Sequence, residues 1–179
     1  MRTLSLAIAL TLPLGFLPVP AAAQFNENLD VPYVPSPQEV VDAMLKLAGV
    51  KGGDTVIDLG CGDGRIVVTA VKKFGAARAI GYDLDPERIK EANDNAKENG
   101  VSAKVKFVEK NLFDADIKEA NVVTLYLLPG VNEKLKPRLL KELKPGTRIV
   151  SHSFSMGDWQ PVKQEDIGGR RIYLWIVGK

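Results

Sequence analysis

The chain of 179 residues carries 24 basic and 22 acidic side chains, and this near balance gives no electrostatic reason to expect a nucleic-acid partner. Cys61 is the only cysteine, which excludes an internal disulfide, and His152 is the only histidine, so a Cys/His zinc site lacks its ligands. Nucleophilic catalysis by a triad would rest on these two residues alone.

Arg2 is the only charge before Glu27. An apolar run over residues 4–17 is followed by Pro18-Val19-Pro20 and Ala21-Ala22-Ala23. A positive start, an apolar middle and a small-residue cleavage site predict a signal peptide over residues 1–23, and hence export. The alternative is an uncleaved membrane anchor with the domain in the cytoplasm. Pro13, Gly15, Pro18 and Pro20 would break such a spanning helix. Residues 24–35 read as an extended lead-in, and residues 36–179 as one domain with a single core.

Ser36-Pro37-Gln38-Glu39 predicts a helix start, with Ser36 as cap, Pro37 at the first position and Glu39 completing a capping box. Thr55-Val56-Ile57-Asp58-Leu59 is a β-branched apolar run suited to a strand buried on both faces. A helix over residues 64–74, a strand over 78–82 and a charged helix over 86–99, capped by Asp85 and stopped by Gly100, come next. Strands over 105–108 and 122–127, a helix over 131–143 and a strand over 147–153 continue the alternation. Residues 160–166 and 171–177, joined around Gly168-Gly169, read as a hairpin. The fold class is therefore α/β: a Rossmann-like, mainly parallel sheet of seven strands, with helices on both faces and a C-terminal antiparallel hairpin.

The chemistry concentrates in Asp58-Leu59-Gly60-Cys61-Gly62-Asp63-Gly64, between the first strand and the following helix. Gly60, Gly62 and Gly64 let the backbone turn sharply and let a ligand lie against the main chain. The turn also falls at the carboxyl end of a strand, where open α/β sheets bind their ligands. Asp83 lies 25 residues beyond Asp58, at the end of the second strand, where a carboxylate can accept from both hydroxyls of a ribose. The constellation reads as a nucleoside-binding cleft. A dinucleotide site would have Gly-x-Gly-x-x-Gly and a helix N-terminus open to pyrophosphate, which Asp63 would oppose.

The Asp-x-Gly-x-Gly-x-Gly pattern with Asp83 resembles the first motifs of class I S-adenosylmethionine-dependent methyltransferases. That resemblance implies S-adenosyl-L-methionine as cofactor, with Asp58 toward its amino acid part, Asp83 on the ribose and Leu84 near the adenine. Asn111 stands where the class usually has Asp and would face the adenine amino group. The fourth strand ends in Tyr126-Leu127-Leu128-Pro129, which lacks the polar amine-gripping residue of the DNA adenine methyltransferases.

Val31-Pro32-Tyr33-Val34-Pro35, residues 58–65 and Tyr126-Leu127-Leu128-Pro129 together resemble the small membrane-linked lysine methyltransferases of the ATP synthase c subunit and the adenine nucleotide translocase. This likeness implies a membrane-protein lysine as acceptor, Tyr33 covering the cofactor, and Tyr126 lining the acceptor channel. Tyr126 and Asp158 are the candidates for orienting the amine. A small-molecule N- or O-methyltransferase and a non-catalytic exported nucleoside-binding domain are the competing readings. Cys61 has no basic neighbour to lower its pKa and reads as packing. His152 reads as a hydrogen-bonding core residue.

Overall fold

A computed structural model describes residues 33–179. The predicted signal peptide and the lead-in as far as residue 32 lie outside the described residues. Four helices, α1 (Gln38–Leu47), α2 (Arg65–Lys72), α3 (Pro86–Glu98) and α4 (Pro129–Glu142), alternate with the first five of seven strands. These are β1 (Thr55–Leu59), β2 (Arg78–Asp83), β3 (Val105–Glu109), β4 (Val122–Leu125) and β5 (Arg148–His152), followed by β6 (Lys163–Ile167) and β7 (Arg170–Ile176). They form one sheet in the order β3-β2-β1-β4-β5-β7-β6. The first five strands are parallel, and β7 runs antiparallel to both β5 and β6. The expected α/β architecture and its terminal hairpin are both present.

Strand periodicity separates two apolar layers. Val56, Val122, Val150 and Ile172 pack with α1, α2 and α3 on one face. Ile57, Leu59, Val123, Leu125, Ile149 and Trp175 pack with α4 on the other. All five residues of β1 are buried, as its unbroken β-branched run predicts. The charged helix α3 buries only Ala92 and Ala96, small residues that let a solvated helix lie close to the sheet. Asp85 caps it as expected, accepting from the Glu87 amide at 2.9 Å.

Two local expectations are corrected. Ser36 does not cap α1; the capping position falls on Pro37, because the Ser36 hydroxyl is bonded to His152 across the sheet. Strand β4 stops at Leu125 and α4 begins at Pro129, so Tyr126 and Leu127 lie just beyond the strand's carboxyl end. A short 3-10 turn, Leu112–Asp114, follows β3. Arg138 of α4 anchors that turn through the carbonyls of Leu112, Phe113 and Ala115. The hairpin forms around Gly168 and Gly169, both with positive φ, as a two-residue turn requires.

Gly64, the N-cap of α2, shows how closely the layers meet. Its φ is +74°, and an added Cβ would lie 2.6 Å from the Phe107 ring and 2.8 Å from the Ala92 methyl. Gly64→Ala combines left-handed strain with overpacking and is expected to destabilise the protein by about 2–3 kcal/mol. Urea denaturation of the two proteins measures it, and an unchanged midpoint would contradict the packing described.

Candidate active site

The site lies where the strand order reverses, between β1 and β4, at the carboxyl ends of the parallel strands. Asp58 comes from the end half of β1, Asp83 from the last position of β2, Asn111 from just past β3, and Tyr126 and Leu127 from just past β4. One cleft is lined by all of these together with Gly60, Gly62, Leu84 and Tyr33. Nine of the ten residues singled out from the sequence border this cleft or its loop. The tenth, Asp158, does not. Its side chain is 91% exposed and paired with Lys136, and it is absent from the cleft lining. It sits after β5, in the loop whose Met156 and Trp159 form an isolated bridge, which holds it away from the cleft.

Asp58 is almost fully buried. One oxygen accepts from the Thr124 hydroxyl at 2.6 Å, and the other, Oδ2, has no partner. Burial pushes its carboxyl up to about 7, against the pull of the Thr124 hydrogen bond and with help from the nearby charges of Asp83 and Asp63. Asp83 works differently. It accepts from the Gly62 amide at 2.8 Å and from the Asp85 amide at 3.0 Å, one bond per oxygen, and so ties the glycine turn to the end of β2. Each oxygen retains a lone pair for a ligand hydroxyl.

Leu84, 44% exposed, forms an apolar lip. The Asn111 side-chain oxygen accepts from the Phe113 amide at 2.9 Å, which fixes the orientation of the amide group. Its nitrogen is then the end left for a ligand, a donor where an Asp would only accept. Tyr33 lies over the glycine turn: a Cβ on Gly62 would come within 2.4 Å of its ring. Its other neighbour is the Arg88 guanidinium, 4.5 Å from the ring centre.

Sequence reasoning missed Thr124, Ser36 and Arg65. Arg65 grips Asp63 with Nε and Nη2, the closest contact being 2.6 Å, and donates from Nη1 to the Ser36 carbonyl at 2.9 Å. Burial alone would raise the Asp63 carboxyl, but these bonds from Arg65 hold it below the usual carboxylate range. Position beside the glycine turn was the one available signal for Arg65. For Thr124, 66 residues from Asp58, there was none. Among the described residues no His, Cys, Asp and Glu cluster is suited to a metal ion.

Residues 58–163 match the ANTKMT methyltransferase domain family. The chain belongs to this family. It is 50% identical over 153 residues to a protein-lysine N-methyltransferase of Saccharolobus islandicus (strain REY15A), covering 83% of this chain and 95% of that one. It is 36% identical over 169 residues to the adenine nucleotide translocase lysine N-methyltransferase of Mus musculus, covering 94% of this chain and 70% of that one. Among solved structures, an RNA methyltransferase from Salinibacter ruber in complex with S-adenosyl-L-homocysteine is similar, with 52% identity and a TM-score of 0.79 over 80% of this chain and 94% of that one. The family assignment agrees with the cleft. A buried, half-satisfied carboxylate and a second carboxylate with spare lone pairs fit a nucleoside that carries an ammonium group.

The raised Asp58 pKa has a measurable consequence for the free protein. The unfolded chain loses this proton near its ordinary value of 3.8, whereas the folded chain keeps it to about 7. The folded state therefore binds the extra proton between those values, and stability falls as pH rises through that window. The shift corresponds to a loss on the order of 4 kcal/mol. Asp58→Asn removes the titration, so the wild type is expected to lose stability relative to the variant from pH 4 to pH 8. Parallel stability curves in urea would show that Asp58 is not held protonated.

Proposed function

We propose that this protein transfers a methyl group from S-adenosylmethionine to a protein lysine amine, and that the acceptor belongs to a membrane protein. The lysine reading is carried by the 50% identity to a protein-lysine N-methyltransferase across nearly the whole of that protein. The membrane part is supported by the likeness to an enzyme named for the adenine nucleotide translocase. It is also supported by the apolar rim of the cleft, where Val34 is 55% and Leu84 44% exposed.

The cofactor, when bound, supplies a methyl group activated on a sulfonium. The protein has then to hold that donor, bring up a neutral amine and exclude water. Asp58 would take the donor's amino group with its unpartnered oxygen, and Asp83 the ribose hydroxyls. Leu84 would lie against the adenine ring, with the Asn111 amide at its edge and Tyr33 above the turn.

On the acceptor side stand Tyr126 and Leu127, followed in the chain by the exposed Leu128. A lysine amine has an unperturbed pKa near 10.4, so it must shed a proton to attack. Entry past an aromatic ring and two leucines favours the neutral form by desolvation. Asp63 and Asp85 also border the cleft, where Asp63 is gripped by Arg65 and Asp85 accepts from the Glu87 amide. Deprotonation is assigned to the low-polarity entrance and to solvent.

RNA as acceptor is the second reading, favoured by the likeness to the Salinibacter RNA methyltransferase. Against it stands the near-balanced charge of the chain, with only two more basic than acidic residues. Incubation of the purified protein with tritiated S-adenosylmethionine and a cell lysate separates the two. The expected label is destroyed by protease, survives ribonuclease, yields methyl-lysine on hydrolysis and concentrates in the membrane fraction. Label destroyed by ribonuclease would overturn the lysine reading, and labelled polypeptide confined to soluble protein would overturn the membrane part.

A further inference from the structure

His152 closes β5 and is the chain's only histidine, yet it does not line the cleft. Three observations connect it to the cleft nonetheless. Its Nδ1 lies 2.8 Å from the Ser36 hydroxyl, in a buried hydrogen bond that joins residues 116 apart. The face of its ring stacks on Tyr126, with centroids 3.9 Å apart and planes 30° from parallel. Phe154 continues the arrangement, its ring lying 6.1 Å from that of Tyr126 at 16°. Tyr126 therefore does not stand free at the entrance; a histidine fixed at its other end sets its tilt.

The Ser36 end is equally constrained. Its carbonyl accepts from Arg65, which in turn grips Asp63 of the glycine turn. A continuous path thus runs from Asp63 through Arg65, Ser36 and His152 to Tyr126. One end of that path is in the loop assigned to the donor, and the other is at the entrance assigned to the acceptor. Burial, with the Arg170 charge, holds the imidazole down to about 4, so the ring is neutral at physiological pH. A neutral ring can stack on a tyrosine and keep its hydrogen bond without an unpaired charge in the core.

We propose that His152 is a positioning residue for the transfer reaction, holding Tyr126 in register with the donor loop through its bond to Ser36. The proposal rests on the methyltransferase reading above. His152 touches neither donor nor acceptor; it acts through Tyr126. A misplacement of the reacting groups by a fraction of an ångström is enough to slow an in-line transfer substantially. A residue present only for packing would change stability and leave the turnover of the folded fraction alone.

The test uses two substitutions that break the same bond from opposite ends. His152→Phe keeps a stacking ring and loses the hydrogen bond, and Ser36→Ala, a smaller change, loses the same bond. Methyl transfer is measured with tritiated S-adenosylmethionine and heat-treated lysate protein as acceptor, alongside calorimetric cofactor affinity. Each variant is expected to lower kcat roughly tenfold with cofactor affinity unchanged. The double variant should be no slower than the slower single one, because both remove one interaction. The proportions of mono-, di- and trimethyl-lysine should shift in the same direction in both.

Unchanged kcat in a folded Ser36→Ala protein would overturn the proposal, as would additive losses or a parallel fall in cofactor affinity. If the wild type transfers no label to polypeptide in the same assay, the lysine reading falls first and the proposal with it. Activity in the wild type with no effect of either substitution would remove only the role of His152.

Discussion

A carboxylate enclosed at the middle of the sheet is the constraint around which this molecule is arranged. Asp58 pairs in register with Thr124 on β4 and with Gly81 on β2. Thr124 satisfies one of its oxygens. Gly81 leaves room for the turn that follows: an added Cβ there would lie 2.7 Å from Cys61. The second carboxylate oxygen stays unpartnered in the core. A buried polar atom of that kind costs stability unless it is matched. In the proposed function its partner is the ammonium group of the cofactor.

The rest of the cleft organises itself around that position. Asp83 spends one bond from each oxygen on the backbone, holding the turn at Gly62 and the chain at Asp85. Arg138 of α4 pins the segment after β3 through three carbonyls, and this sets Asn111 and Leu112 on the far wall. Arg65 and Ser36 then bring residues 33–36 back across the opening. These contacts bring the residues of the proposed donor pocket and of the proposed acceptor entrance into one cleft.

The fold was legible because its signals are local. Unbroken β-branched runs gave the buried parallel strands, glycines and prolines marked the turns, and Asp85 announced the charged helix. The cleft around Asp58, the glycines and Asp83 was legible for the same reason: these residues belong to two adjacent strand ends with recognisable spacing. Contacts between distant segments were not. The hydroxyl of Ser36 reads as a helix cap from its neighbours, and only the folded chain reveals His152 as the competing partner. Thr124 looks like any β-branched strand residue until the register sets it beside Asp58. Asp158 follows an aromatic-rich stretch in the sequence, but the bridge between Met156 and Trp159 turns it out toward Lys136.

The central claim, that a half-satisfied buried carboxylate is built to receive the ammonium group of S-adenosylmethionine, is tested most directly by the protons that move on binding. Calorimetric titrations at pH 6 and pH 8, each in two buffers of different ionisation enthalpy, count them. At pH 6 the Asp58 proton, held up to about 7 in the free protein, should leave as the cation arrives, releasing close to one proton per molecule bound. At pH 8, and in Asp58→Asn at either pH, proton release should be near zero. Tight binding with no proton release at pH 6 would show that Asp58 does not receive the ligand's charge, and the absence of binding would remove the cofactor assignment itself.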